Sequence, residues 1–211
     1  MELNGIIFYL DGVLVHTDEF HYQAWKQLAD RLRIPFDRQV NNRLRGVSRM
    51  ASLEIILEGA DRSFSNEEKL AMTEEKNAAY RKLLETMSPG DVSGEVVETL
   101  SKLKERGIRL AIGSSSKNAG FILTQTGLDV WMDAVSDGNN ITRSKPDPQV
   151  FLMAAEMLSL PPSQCAVVED ATAGIDAALA GGFLAVGIGD AAGYDRTDKP
   201  LSTFSDLLNI L

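Results

Sequence analysis

The chain has 211 residues and a formal net charge of −9, and 44% of its residues are hydrophobic and 24% charged. This length allows one well-buried domain, or a core domain with a smaller domain inserted into it. The acidic excess disfavours a nucleic-acid partner, because phosphate backbones are bound by clustered Lys and Arg side chains. No apolar run approaches the ~18 residues of a membrane helix, and the acidic start of the chain is unlike a signal peptide. With a single cysteine, Cys165, we expect a cytoplasmic protein with no membrane partner.

The first predicted strand covers Leu3 to Leu10 and runs directly into Asp11 and Gly12. A carboxylate therefore stands where the strand ends, and Gly12 permits a sharp turn of the backbone. In an open α/β sheet, binding and catalytic groups collect at the carboxyl ends of the strands. Asp11 is therefore a candidate functional residue.

A long segment after the first strand, from Thr17 to about Ser93, carries amphipathic stretches and no convincing strand. Apolar side chains recur at helical spacing near its start: Phe20, Ala24, Leu28 and Leu32. The sequence from Ser65 to Glu68 has the form of a capping box, which marks the start of another helix. Turn-forming residues from Ser88 to Gly94 indicate a return linker. We therefore predict an all-helical insertion.

The remainder of the chain alternates strand-like apolar runs with helical patterns, an order typical of a parallel sheet with crossover helices. The predicted strands are 108–114, 165–168 and 183–188, with a weaker one at 134–135. The predicted helices are 95–106, 118–126, 148–158 and 172–180. The sequence therefore predicts an α/β fold with a Rossmann-like, doubly wound parallel sheet of about five strands. Its core domain is residues 1–15 and 93–211, and a helical cap domain is inserted at 16–92.

Polar residues follow three later strands of the predicted sheet. The run from Ser114 to Asn118 is a hydroxyl-rich turn ahead of a helix, where N–H and O–H donors can meet an anion. Lys145 lies just before another predicted helix, a position that is also typical of a solvated surface charge. Glu169 and Asp170 end an apolar strand, and adjacent buried carboxylates are naturally neutralised by a hard cation such as Mg²⁺.

The strand-end motifs, taken together and in order, resemble the signatures of the haloacid dehalogenase superfamily of phosphoryl-transfer enzymes. They are Asp11-Gly12-Val13, Ser114 to Asn118, Lys145 to Pro148, and Glu169-Asp170 followed by Ala-Thr-Ala-Gly. This resemblance covers essentially the whole chain. It implies a core domain that transfers phosphoryl groups and a separate cap domain.

The helical insertion resembles the cap of one particular family within this superfamily. Residues 21–26, residues 45–49 with Ser52, and residues 76–77 with Tyr80 are similar to the cap of the β-phosphoglucomutase family. That family interconverts β-glucose 1-phosphate and glucose 6-phosphate through a sugar bisphosphate. That cap closes over the core, so the resemblance implies substrate contacts from both domains. The substrate-binding residues that it implies are His21, Trp25, Gly46, Val47, Arg49, Ser52, Lys76, Ser116 and Asn118. Alternatively, His21 and Trp25 would serve only packing within the cap, and Lys76 and Arg49 would be solvated surface charges.

The resemblance also implies roles for the strand-end residues. Asp11 would be the general acid and base for the sugar hydroxyl. Ser114 and Lys145 would hold the transferring phosphoryl group. Glu169 and Asp170, with the backbone carbonyl of Asp11, would bind Mg²⁺. The ligands implied are a sugar phosphate and a sugar bisphosphate, and we expect a monomer.

Tyr9 departs from the family pattern, which is D-x-D-G-V with a nucleophilic first Asp. A phenol with a pKa of ~10 is protonated at neutral pH and supplies no anionic metal ligand. Three interpretations follow. The chain is a mutase with a natural, engineered or erroneous change at Tyr9, a non-catalytic protein that binds a sugar phosphate, or an enzyme with altered chemistry. The last would be a slow sugar phosphatase that uses Asp11 with water.

Overall fold

The computed structural model describes residues 3–44 and 48–210. The chain divides into two compact units. One, the core unit, comprises the chain up to His16 and from Met87 onward; the other, the helical unit, is Thr17–Thr86. Within the described ranges, every helix is too short or too polar to span a bilayer.

A single parallel sheet organises the described part of the core unit. Its six strands are β1 (Gly5–Phe8), β2 (Arg109–Gly113), β3 (Ala134–Ser136), β4 (Cys165–Glu169), β5 (Leu184–Gly187) and β6 (Lys199–Pro200). They are arranged in the order β3-β2-β1-β4-β5-β6, so the chain winds outward from β1 in both directions. In the register of the sheet, Phe8 lies opposite Ile112 of β2 and Val168 of β4. The predicted doubly wound α/β fold is confirmed.

The central strands are buried because both faces of the sheet are covered. Ile7 and Val167 share a hydrophobic cluster with Phe151 and Ile175, which lie on two helices that pack on one face. Phe8 points to the opposite face, where its ring centroid lies 5.7 Å from that of Phe204. Strand residues buried on both faces read in sequence as continuous apolar runs, which is the pattern that predicted this sheet.

Among the described residues of the core unit, four α-helices connect the strands: α5 (Gly94–Glu105), α6 (Ala119–Thr126), α7 (Gln149–Met157) and α8 (Thr172–Ala180). The Ser93 hydroxyl caps α5 by accepting a hydrogen bond from the Val96 N–H. Gly127 ends α6 with a φ of 68°, a left-handed conformation that glycine adopts without strain. These bounds agree closely with the predicted helices.

The helical unit contains α1 (Asp18–Leu32), α2 (Arg38–Asn42), α3 (Arg49–Leu57) and α4 (Asn66–Leu84), and no strand among its described residues. The capping box predicted at the start of α4 is confirmed, since Ser65 and Glu68 exchange hydrogen bonds. Trp25 and Leu28 of α1 pack with Leu53 of α3 and Met72 of α4 in one apolar cluster. The unit therefore has a hydrophobic core of its own.

Candidate active site

The candidate site lies where β1, β2 and β4 end side by side. Tyr9 follows β1, and its backbone N–H donates to the carbonyl of Val168 at 3.0 Å. Ser114 follows β2, and Glu169 is the last residue of β4. Because parallel strands in register end at the same edge, the fold brings the first, second and fourth motifs to one place.

Lys145 links two of these strand ends. Its ammonium forms an ion pair with Oε1 of Glu169, and the two side chains are 12% and 0% exposed. The same ammonium lies 3.4 Å from the centroid of the Tyr9 ring. An ammonium over an aromatic face is attracted by the negative face of the ring, most strongly where water is excluded. Lys145 is therefore a mostly buried residue of the candidate site and not a solvated surface charge.

Both oxygens of the Glu169 carboxylate have interaction partners. Its second oxygen accepts hydrogen bonds from the backbone N–H groups of Asp170 and Ala171, at 3.0 and 3.1 Å. A Cβ on Gly174 would lie 1.9 Å from Cδ of Glu169, so any larger residue would have to displace this carboxylate. The sequence reasoning did not single out Gly174, although the small residues that follow Asp170 are a signal of close packing.

Asp11 and Asp170 come together through Gly12. Gly12 has a φ of +85°, and a Cβ there would lie 2.2 Å from Oδ2 of Asp170. The Asp170 carboxylate therefore rests against the backbone of the turn that carries Asp11. The Gly12 N–H donates to the carbonyl of Val15 at 2.7 Å, which holds the turn tight.

Serine side chains shape the loop between β2 and α6. Ser114 is buried, and its hydroxyl accepts a hydrogen bond from the Ser116 N–H at 3.2 Å. The Ser116 hydroxyl in turn accepts from the Asn118 N–H at 3.2 Å. The buried hydroxyl of Ser115 has no hydrogen-bond partner among the described residues. These local bonds fix the loop at the strand edge, with α6 starting at Ala119.

The donors at this edge do not fit a tightly held Mg²⁺. Such a site needs several oxygen ligands in near-octahedral geometry. Tyr9 contributes no carboxylate, and Glu169 is bound to Lys145 and two N–H groups. Over residues 3–44 and 48–210, no group of three or more His, Cys, Asp or Glu is arranged to hold a metal ion.

A second cluster of candidate residues lies inside the helical unit. Lys76 is buried, and its ammonium lies 2.8 Å from Nδ1 of His21. It also lies 4.6 Å from the Tyr80 ring and 4.9 Å from the Trp25 ring. An ammonium is only a donor, so Nδ1 accepts and the proton of the neutral imidazole is on Nε2. The structure thus brings His21, Trp25 and Lys76 together, and adds Tyr80.

Burial is the main reason that the pKa of His21 lies well below its ordinary value, and the charges of Lys76 and Arg49 lower it further. His21 is therefore neutral in the folded protein. The His21 ring stacks on Tyr80 with the centroids 4.0 Å apart. The Tyr80 hydroxyl lies 2.8 Å from that of Thr17. The sequence indicated Tyr80 as part of the cap motif but gave it no binding role, although it stands one helical turn after Lys76.

The remaining cap residues predicted from the sequence are Arg49, Ser52, Gly46 and Val47. Arg49 begins α3, and its guanidinium lies 3.9 Å from the Glu74 carboxylate on α4. Burial lowers the pKa of Arg49, although a guanidinium remains charged at neutral pH. Ser52 is buried on α3. Gly46 and Val47 lie outside the described residues.

Comparisons with known proteins agree with the fold and with the strand-end motifs. Residues 3–182 match the family model of haloacid dehalogenase-like hydrolases. The match covers most of the chain, so the protein belongs to the haloacid dehalogenase-like hydrolases, and the resemblance read from its motifs is confirmed.

Within that family, the chain is similar to the β-phosphoglucomutase of Bacillus subtilis. The two are 40% identical over 207 residues, which cover 97% of this chain and 92% of that protein. The fructose-1-phosphate phosphatase of Escherichia coli is 32% identical over 187 residues, 87% of this chain and 95% of that protein. The crystal structure of a Clostridium difficile β-phosphoglucomutase superposes with a TM-score of 0.88 at 36% identity, covering 97% of this chain and 93% of that one.

Proposed function

We propose that this chain is a phosphoryl-transfer protein of the β-phosphoglucomutase type, specific for hexose phosphates, in which Tyr9 occupies the position of the nucleophile. The observation that carries the proposal is the placement of Lys145. Its ammonium is fixed at the strand edge, beside position 9 and Glu169, where it can bind a phosphoryl group. The similarity to a β-phosphoglucomutase over nearly the whole chain supports the hexose phosphate as ligand.

The proposal gives each strand-end residue a role. Ser114 and Lys145 bind the transferring phosphoryl group, and Asp11 moves a proton on the sugar hydroxyl. Ser116 and Asn118 contact the second phosphate of a bisphosphate. The helical unit contributes further substrate contacts, which we assign to His21, Trp25, Gly46, Val47, Arg49, Ser52 and Lys76.

Tyr9 limits the rate of phosphoryl transfer. In a mutase of this type, a carboxylate oxygen attacks phosphorus while the bond from phosphorus to the sugar oxygen breaks and that oxygen takes a proton from the general acid. The Tyr9 phenol is protonated at neutral pH and is a poor nucleophile. We therefore expect turnover to be lower than in a variant with Asp at this position by several orders of magnitude, on the scale of the ~10⁶ lost with a serine protease nucleophile.

The test is a coupled assay for glucose 6-phosphate formed from β-glucose 1-phosphate, with Mg²⁺ and a bisphosphate primer. Tyr9→Asp should gain activity, because its carboxylate can attack phosphorus. The same carboxylate adds an acidic group beside Glu169 and Asp170. We propose that Mg²⁺ becomes a cofactor in that variant. Tyr9→Asn is the matched control, since it has the size of Asp without its charge, and it should stay inactive. Full activity of the unchanged protein would refute the assignment of the nucleophile position.

A second candidate function is binding of a sugar phosphate without turnover. It is favoured by Tyr9 itself, which removes the nucleophile while Lys145 remains in place. Measuring binding of glucose 6-phosphate and turnover separately distinguishes the two functions. A Tyr9→Asp protein that binds the ligand but stays inactive would favour the binding function. Release of inorganic phosphate by the unchanged protein would instead indicate a slow phosphatase that uses Asp11 with water.

A further inference from the structure

The charge at the strand edge differs from that of a site built around an attacking carboxylate. Asp11, Glu169 and Asp170 each bring one negative charge, and Lys145 brings one positive charge. A carboxylate at position 9 would add another negative charge, which a divalent cation would have to offset before an anion could bind. Tyr9 is neutral, so this further repulsion is absent.

The positive charge at this edge is a side chain of the protein, the Lys145 ammonium. The Lys145 side chain is 12% exposed and is fixed between the Glu169 carboxylate and the face of the Tyr9 ring. Phe151 lies on another side, with its ring centroid 6.0 Å from the ammonium. An ammonium has three N–H donors, of which the ion pair with Glu169 uses one. A phosphate oxygen can accept from another without breaking that pair.

We propose that this chain binds the phosphate group of its ligand at the ends of β1, β2 and β4 without a divalent cation, with Lys145 as the binding charge. The inference rests on the proposed function for the identity of the ligand, a hexose phosphate. Its physical basis is the donor set. The described carboxylates do not form a group that fits Mg²⁺, while Lys145 is already positioned.

Calorimetric titration with glucose 6-phosphate and with inorganic phosphate, each in EDTA and in excess Mg²⁺, tests the inference. The unchanged protein should show the same Kd in both conditions, within about twofold. Tyr9→Phe, which keeps the ring, should behave in the same way. Tyr9→Asp should bind at least about tenfold more weakly in EDTA than in Mg²⁺, because its added charge repels the phosphate.

Two lysine variants show whether Lys145 is the binding charge. Lys145→Met should weaken phosphate binding by at least about tenfold in either condition. Lys102→Met removes an equal charge from an exposed position on α5 and should leave the Kd unchanged. Circular dichroism of each variant establishes that it is folded before its Kd is compared.

The outcomes separate this inference from the proposed function. Phosphate binding by the unchanged protein that needs Mg²⁺, or no binding in either condition, would overturn the inference. Restored mutase turnover in Tyr9→Asp would leave the proposed function standing in either case. Direct titration of Mg²⁺ into the two proteins gives a second readout. We expect measurable Mg²⁺ binding by Tyr9→Asp and at least about tenfold weaker binding by the unchanged protein.

Discussion

Replacing Lys145 by Met should destabilise the core unit, because it removes the counterion of a buried carboxylate. The Glu169 side chain is 0% exposed. Removing one partner of a buried ion pair typically costs about 3–5 kcal/mol. We expect about 3 kcal/mol of the free energy of unfolding, the lower end of that range, since Glu169 keeps its hydrogen bonds from the Asp170 and Ala171 N–H groups.

Urea unfolding followed by the fluorescence of Trp131 measures this cost in the core unit. The chain has two tryptophans, and Trp25 belongs to the helical unit. A Trp25→Phe background therefore leaves Trp131 as the reporter. Lys102→Met is the matched control. Its ion pair with Glu98 joins side chains that are 46% and 68% exposed, and such exposed pairs on a helix are worth about 0.3–0.5 kcal/mol.

A double variant identifies the source of the loss. If the cost comes from a buried charge without its counterion, adding Glu169→Gln to Lys145→Met should recover much of the stability, because the amide is neutral. A Lys145→Met protein as stable as Lys102→Met would refute the reasoning. So would a double variant that is less stable than Lys145→Met alone.

Two further predictions test neighbouring contacts. Gly174→Ala should lower the free energy of unfolding by about 2 kcal/mol, because its Cβ would lie 1.9 Å from Cδ of Glu169. Gly120→Ala is the control, with nothing within 4 Å of the added Cβ; it should stabilise α6 by up to about 1 kcal/mol in the same urea assay. Lys76→Met should raise the pKa of His21, measured by NMR titration, because a positive charge is removed, although burial keeps that pKa below its ordinary value. Since His21 is neutral when folded and protonates in the unfolded chain below about pH 6.5, the free energy of unfolding should fall as the pH drops below that value.

The predictions for the His21 pKa and for Gly174→Ala each have an outcome that would contradict them. His21→Gln removes one of the two histidine resonances of the chain and thereby assigns the other to His16. A His21 pKa that stays unchanged in Lys76→Met would mean that the Lys76 charge does not act on the imidazole. A Gly174→Ala protein as stable as the unchanged one would mean that the Glu169 side chain can leave its described position at little cost.

The sheet could be predicted from the sequence because its central strands are buried on both faces. Such strands are continuous apolar runs, and glycines such as Gly107 and Gly127 mark where the intervening helices end. The strand β6 was missed. It consists of Lys199 and Pro200, which are polar or exposed and pair with β5 at the edge of the sheet, so hydrophobic periodicity carries no signal there.

The candidate site was predictable in its location and less so in its contacts. Motif order placed Asp11, Ser114 and Glu169 at adjacent strand ends. Pattern alone did not separate Lys145 from a surface lysine, because its partner Glu169 is 24 residues away in sequence and the contact exists only in the folded chain. The stacking of Lys145 on Tyr9 had no sequence signal, since a tyrosine is not expected at that position.

Tyr9 does more than remove a nucleophile. A small neutral residue at position 9 would also lack the negative charge of Asp, but it would offer Lys145 no aromatic face. The Tyr9 ring presents its negative face to the ammonium at 3.4 Å. The ring thus keeps the cation at the strand edge while the edge loses one negative charge. That change strengthens the attraction between the site and a phosphate, and it weakens the site's attraction for a divalent cation. Loss of turnover and metal-free binding of phosphate are therefore two expected consequences of the same residue.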